Sequence, residues 1–233
     1  MVSGTDISRA FRAAVPIMLG YAAIGLACGI LNASIGLDVW QVLIMCLLFY
    51  SGAGQFMIPN MWLSASPIAS IVASVSLVNT RQMLYSASLS PRCSDTGKPL
   101  AFLFAATVTD ESFGVNTAKF SSGQWSVQQA TAVNLFSQSS WTLFNVAGVL
   151  LGHLISVPLA IASFAMTAIF ICLAATQKMT PGNIVAICLA FLGVYLGKLV
   201  GLGGFAVVAG ALVGVASALA FSSLRQARGR KAR

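Results

Sequence analysis

Charge is scarce in this sequence. Of 233 residues only 8% are charged, and the acids number five. Soluble domains usually carry about a quarter charged residues, so this scarcity excludes an ordinary water-soluble globule. Histidine occurs once, at His153, which excludes zinc motifs of the HExxH kind. Cys28, Cys46, Cys172 and Cys188 sit in apolar runs, and only Cys93 lies in a polar loop. No CxxC or Cys/His spacing occurs among them, so neither a disulfide framework nor a zinc site follows. There is no P-loop, and nothing points to ATP hydrolysis. An intramembrane protease needs a Ser–His pair, two aspartates or a zinc motif; His153 has no nucleophile motif beside it, and Asp110 has no second intramembrane aspartate. The chain reads as a protein without catalytic, metal or cofactor chemistry. A cleavable signal peptide is not visible either, because the first apolar run is longer than a signal core.

What is present is apolar. Hydrophobic residues make up 58% of the chain. A membrane-crossing helix needs roughly 20 mainly apolar residues, and strand-type alternation is absent, so helices are implied. The expectation is an all-α, polytopic helical membrane protein, one domain over residues 1–233. Residues 1–12 form a cytoplasmic lead and residues 222–233 a basic cytoplasmic tail. The net charge of +8 is concentrated at the ends: Arg225, Arg228, Arg230, Lys231 and Arg233 crowd the tail, and Arg9 and Arg12 precede the first apolar run. Basic residues flanking membrane segments mark the cytoplasmic side, where they meet anionic lipid. That placement argues against nucleic acid and for a membrane protein with both termini on the cytoplasmic side.

Eight apolar runs can be traced, at about 13–36, 41–63, 67–90, 99–118, 130–152, 158–176, 183–199 and 201–221. The second is divided by Tyr50-Ser-Gly-Ala-Gly-Gln-Phe56 and by Pro59, which reads as a helix that breaks. Eight full crossings would put Arg92 and Lys98 outside, against the positive-inside tendency. A re-entrant or broken stretch in 41–90 or in 99–118 removes that conflict. The expectation is therefore seven or eight segments with at least one broken or re-entrant. A shift of 142 positions aligns Cys46-Leu47-x-Phe49 with Cys188-Leu189-x-Phe191 and Pro16 with Pro158, a faint sign of the inverted repeats common in secondary transporters.

Three features carry chemistry. Arg81, flanked by Asn79, Thr80 and Gln82, interrupts the third run, and Asp110 with Glu111 interrupts the fourth. An arginine at mid-bilayer costs at least about 2.5–3.5 kcal/mol, so it faces a partner or a wet cavity. One reading is a site for a zwitterion or a proton: the arginine forks onto a carboxylate, while a desolvated acid favours its neutral form. The other is a structural ion pair locking two helices. Ser51-Gly-Ala-Gly-Gln55 reads either as an unwound half-helix N-terminus able to grip an anionic group or as a small-residue packing face. On the fifth run Asn134, Gln138, Trp141 and Asn145 share one helical face, a polar stripe whose plainer role is hydrogen bonding between helices.

The motifs Tyr50-Ser-Gly-Ala-Gly-Gln-Phe56, Val78-Asn-Thr-Arg-Gln-Met-Leu-Tyr85 and Thr109-Asp-Glu-Ser-Phe113 followed by Thr117-Ala-Lys119, with Ser139-Ser-Trp141 further on, resemble the AzlC/YgaZ family over nearly the whole chain. Two positions depart from its pattern: Gly54 stands where a serine is common, and Gln82 where a histidine is common. The resemblance implies the large subunit of a branched-chain amino-acid exporter, a secondary transporter coupled to the proton gradient. It acts with a small hydrophobic membrane subunit of the AzlD/YgaH type. On this reading Arg81 with Gly52, Gly54 and Gln55 meets the substrate carboxylate. Asp110 or Glu111 meets the ammonium or carries the coupling proton. Asn79, Gln138 and Asn145 shape the polar side of the cavity, and Phe56 and Tyr85 receive the side chain of valine, leucine, isoleucine or methionine. The competing reading is a channel or a structural membrane subunit for another small solute.

Overall fold

The structure, a computed structural model, describes residues 4–123, 125–154, 160, 164, 167–168, 171–172, 175, 180–202 and 205–231. Among the described residues every regular element is helical. The helices are α1 (Gly4–Ser34), α2 (Val39–Leu48), α3 (Gly52–Leu63), α4 (Ile68–Leu89), α5 (Lys98–Ala106), α6 (Asp110–Ser121), α7 (Val127–Leu154), α8 (Pro181–Leu199) and α9 (Phe205–Lys231), with a short 3₁₀ turn at Ser90–Cys93. The sixth apolar run and Pro158 fall largely or wholly outside the described residues. The aligned Cys188 lies in an unbroken α8, whereas α2 stops two residues after Cys46.

Two compact units can be distinguished, one of residues 1–60 and 78–167, the other of 61–77 and 168–233. The first is organised on α1 and α7, which run parallel. Gln129 donates to Asp6 (2.9 Å) near one end, and Ser140 donates to Met18 O (3.0 Å) further along. Their contact is close because it is made of glycine. A Cβ on Gly25 would lie 3.1 Å from Phe144 Cβ, and one on Gly29 or Gly148 would collide with the backbone of the facing helix. Small residues that let backbones approach are how helices associate where lipid removes the hydrophobic driving force.

Around this pair stand two helical hairpins. The second apolar run breaks at residues 49–51, as its glycines and proline suggest. The fourth also breaks, at residues 107–109, so both candidate stretches are interrupted. Each half-helix has 9 to 12 residues, about 14–18 Å at 1.5 Å per residue, too short to cross a bilayer core of about 30 Å. Capping fixes where they restart. Asp38 and Gln41 form a capping box ahead of α2, and Thr109 with Ser112 forms one ahead of α6. At the start of α3 the Gly54 amide donates to Ser51 Oγ (3.1 Å).

Neither pair continues straight. Gln55 of α3 reaches back to the carbonyls of Phe49 (2.6 Å) and Met45 (3.4 Å), so α3 folds back on the end of α2. In the other pair the Phe104 and Phe120 rings meet edge to face at 6.4 Å. Leu89, Phe104, Val108, Phe120, Val127 and Ala130 form one buried cluster, joined by Leu100 and Trp125. The tip-side end of α5 and the outer end of α6 therefore gather with the end of α4 and the start of α7. The α2–α3 pair hangs from the opposite end, since α2 follows the close of α1 after four residues.

In the second unit α8 and α9 pack antiparallel through small residues. Gly193 meets Gly210 and Val213, and Gly197 meets Ala206. Large apolar side chains lie bare on the outside of several helices, including Leu48 at 84% exposure and Leu19 at 71%. With polar side chains such as Gln55, Asn134 and Asn145 wholly buried, the distribution is that of a protein whose solvent is lipid.

Candidate functional site

The tips of the two hairpins are joined by one stretch of α4. Toward the first tip, Asn79 accepts from Ser51 Oγ (2.6 Å) and Gln82 donates to Tyr50 O (3.2 Å). Toward the second, Arg81 pairs with Asp110 (Nη2–Oδ2, 2.9 Å) and Tyr85 donates to Asp110 Oδ1 (2.6 Å). Ser86 donates to Ala105 O (2.9 Å). Five side chains within two helical turns thus span both breaks, which is why this stretch is so polar in an otherwise apolar run.

Of the two acids, Arg81 takes Asp110. Glu111 accepts instead from Tyr21 (2.6 Å), whose hydroxyl also lies 3.0 Å from Thr109 Oγ1. Asp110 and Glu111 occupy the first turn of α6, where the positive end of the helix dipole favours negative charge. Arg81 and Asp110 are 24% and 19% exposed, so the pair is neither free in solvent nor sealed. Two polar atoms nearby are buried without a hydrogen bond: Arg81 Nε and the Tyr50 hydroxyl. Unspent buried donors are costly, and a bound carboxylate is the kind of group that would satisfy them.

The remaining expected residues divide by task. Gln55 is wholly buried and fully engaged: besides the Phe49 and Met45 carbonyls, its Oε1 accepts from Trp141 Nε1 (2.8 Å) and Cys46 Sγ (3.5 Å). Gln138 donates to Cys46 O (3.2 Å), and Asn145 accepts from Asn32 (3.3 Å). Phe56 lies against the Trp141 ring, 6.4 Å between centroids. Gly52 also faces that indole, 3.5 Å from the place its own Cβ would occupy. Gly54 sits where a Cβ would press on Phe49 and Ser51. Tyr85 stacks on Phe113 at 4.5 Å. Arg81, Asp110, Tyr85, Asn79 and Gln82 therefore form the polar centre, whereas Gln55, Gln138 and Asn145 hold helices around it.

Sequence reasoning passed over Tyr21. It is buried on α1, with an edge-on contact to Trp141 (5.2 Å), and its hydroxyl donates to Glu111 from another helix. The signal that could have found it is a tyrosine deep within the first span, since tyrosine normally gathers at the membrane interface.

The family model described as AzlC protein matches residues 16–155. The chain belongs to the AzlC family. The matched stretch contains the whole arrangement from Tyr21 to Asn145, and both hairpins with it. Among relatives of this AzlC-family chain, an "Uncharacterized membrane protein" of Helicobacter pylori (strain J99 / ATCC 700824) is 32% identical over 202 residues, covering 81% of this chain and 88% of the relative. The "Branched-chain amino acid transport protein AzlC" of Bacillus subtilis (strain 168) is 28% identical over 181 residues, 75% of this chain and 70% of that one. The "Inner membrane protein YgaZ" of Escherichia coli (strain K12) is 28% identical over 141 residues, 59% and 58% of the two chains. No solved structure matches.

Proposed function

We propose that this AzlC-family chain is a secondary transporter of the cytoplasmic membrane that exports branched-chain or similar apolar amino acids. The observation that carries the reading is the part-buried Arg81–Asp110 pair between two hairpin tips, with Arg81 Nε unspent. The Bacillus subtilis relative's name gives the substrate class.

In this mechanism the substrate carboxylate displaces Asp110 from Arg81, helped by the positive N-terminal end of α3 at Gly52 and Gly54. Asp110, released, takes the ammonium group or a proton. Glu111, held by Tyr21, is the second group available for coupling to the proton gradient. Asn79, Gln55, Gln138 and Asn145 keep the tips in position, and Phe56 and Tyr85 border the space for the side chain. A small hydrophobic subunit of the AzlD/YgaH type completes the exporter.

The topology that goes with this has six crossings and two re-entrant hairpins. Helices α1, α4 and α7 cross, α2–α3 dips in from outside and α5–α6 from the cytoplasm; the three apolar runs after residue 155 are counted as crossings from the sequence alone. Both termini are then inside, and Arg92, Lys98 and Lys119 join Arg9 and Arg12 on the cytoplasmic face, as the positive-inside rule asks. Irregular backbone at the tips is tolerated because it is buried in protein or lines a cavity.

The test is efflux of preloaded labelled valine, leucine, isoleucine and methionine from cells expressing the chain with and without the small subunit. Export that needs the subunit, stops with a protonophore and stops in Arg81→Ala is the expected result. Undiminished export by Arg81→Ala would remove the carboxylate role.

A further inference from the structure

A second polar site lies away from the hairpin tips, at the end where α1 and α7 begin. Arg9, Arg12, Ala13, Lys119, Ser122 and Trp125 line a cleft of about 370 Å³. Arg9 and Arg12 stand one turn apart on α1, and Lys119 comes from the last turn of α6. All three cations are exposed, and none forms an ion pair among the described residues. The acid nearest in sequence, Asp6, accepts at Oδ1 from Gln129 Nε2. The Trp125 ring is fixed by a bond from its Nε1 to Asn116 Oδ1 (3.3 Å), and Lys119 Nζ lies 5.6 Å from its centroid. Arg92 approaches the same end, 5.7 Å from the Phe120 ring.

Three like charges gathered on two helices repel one another unless an anion is supplied. Two guanidinium forks and an ammonium match the several oxygens of a phosphate better than a single carboxylate. The tryptophan sets the level: such rings sit where headgroups meet the apolar core. We propose that this cleft binds a phosphate group, carried by an anionic phospholipid headgroup or by a soluble phosphate, at the cytoplasmic edge of the membrane.

The test uses the purified full-length chain in neutral detergent. Native mass spectrometry counts the phosphatidylglycerol and phosphatidylcholine molecules it retains, and a thermal melt follows the response to inorganic phosphate. Wild type is expected to retain phosphatidylglycerol in preference to phosphatidylcholine. Arg9→Gln/Arg12→Gln is expected to lower that retention at least fivefold, and Lys119→Gln, on another helix, to lower it in the same direction. The basic tail is identical in all three proteins and cancels in the comparison. Melting of both variants in phosphatidylcholine at the wild-type temperature shows that they fold. A melting shift with inorganic phosphate that both variants lose, without any preference for phosphatidylglycerol, supports the site and assigns it to a soluble phosphate. Equal phosphatidylglycerol retention in all three proteins, with no response to phosphate, overturns the proposal.

Discussion

Asn134 and Gln138, one turn apart on α7, each donate to the third carbonyl from the end of a half-helix. Asn134 Nδ2 reaches Phe104 O of α5 (3.3 Å), and Gln138 Nε2 reaches Cys46 O of α2 (3.2 Å). The last four carbonyls of any helix lack intrahelical partners, and within a bilayer no bulk water replaces them. A helix that ends at mid-membrane depth therefore gains from side-chain donors of a neighbour, even where, as at Phe104 O, Thr107 N and Oγ1 also donate (both 3.3 Å). The polar stripe of α7 supplies one to each hairpin.

Gln138→Leu and Asn134→Leu should each destabilise the fold by about 0.6–1.7 kcal/mol, the range for hydrogen bonds between membrane helices. Asn134→Leu should cost more, because Asn134 also accepts from Asn116 (3.0 Å) and donates to Thr107 Oγ1 (3.2 Å). Unfolding by a denaturing detergent, followed by circular dichroism, measures both. A Gln138→Leu protein as stable as wild type would mean that α2 ends without help from α7.

The Arg81–Asp110 pair permits a separation of stability from transport. Removing one partner of a part-buried pair strands the other, and at this exposure the cost is on the order of 1–2 kcal/mol after solvent screening. Arg81→Met should therefore lose both stability and efflux. Arg81→Met/Asp110→Leu should regain most of the stability but none of the efflux. Recovery of efflux by the double variant would reduce the pair to a structural lock.

Much of this fold could be read from composition, and the reason is physical. Long apolar runs bounded by basic residues have few structures open to them in a bilayer, so an all-helical membrane protein follows from the sequence. The break at Tyr50–Ser51 was legible because glycine and proline mark it. The break at Thr107–Thr109 was harder to see, since its signal is a capping box of threonine and serine, residues that also serve as ordinary membrane-helix packing. Hydropathy by itself recovers α1 and α8 as spans. It passes over α4 and α7 because the residues that bind the hairpins dilute their apolar character. Which acid Arg81 selects was beyond sequence reasoning: Asp110 and Glu111 are neighbours, and their directions from the first turn of α6 are set by tertiary packing. Tyr21 escaped for the same cause, as its partner lies 90 residues away.

The approach of α1 to α7 gives a prediction independent of function. Gly29→Val should abolish the folded protein or weaken it strongly, since overpacking alone costs about 1–3 kcal/mol and here the added atoms meet backbone that cannot rotate away. Gly20→Ala should be tolerated, because a Cβ there meets nothing within 4 Å. Yield of monodisperse protein in mild detergent reports the difference. A well-behaved Gly29→Val protein would show that the two helices can separate without loss.

The hairpins can be tested through Cys93, which lies in the 3₁₀ turn between α4 and α5. Eight full crossings put this turn outside the cell; six crossings with two re-entrant hairpins put it in the cytoplasm. In a variant that keeps Cys93 alone, an impermeant maleimide added to intact cells should leave it unlabelled, and permeabilised cells should label it. Leu37→Cys, in the turn after α1, should label in intact cells. Burial pushes the Cys93 thiol above its usual pKa, and the thiolate is the reactive form. Labelling should consequently be slow at neutral pH and quicken as the medium is made mildly alkaline, with Ser94→Cys as a faster probe of the same turn. Equal labelling of Cys93 and of the Leu37→Cys site in intact cells would exclude the re-entrant arrangement of α2 and α3, which precede this turn. The positive charges of Arg92 and Lys98 would then stand outside, against the positive-inside tendency.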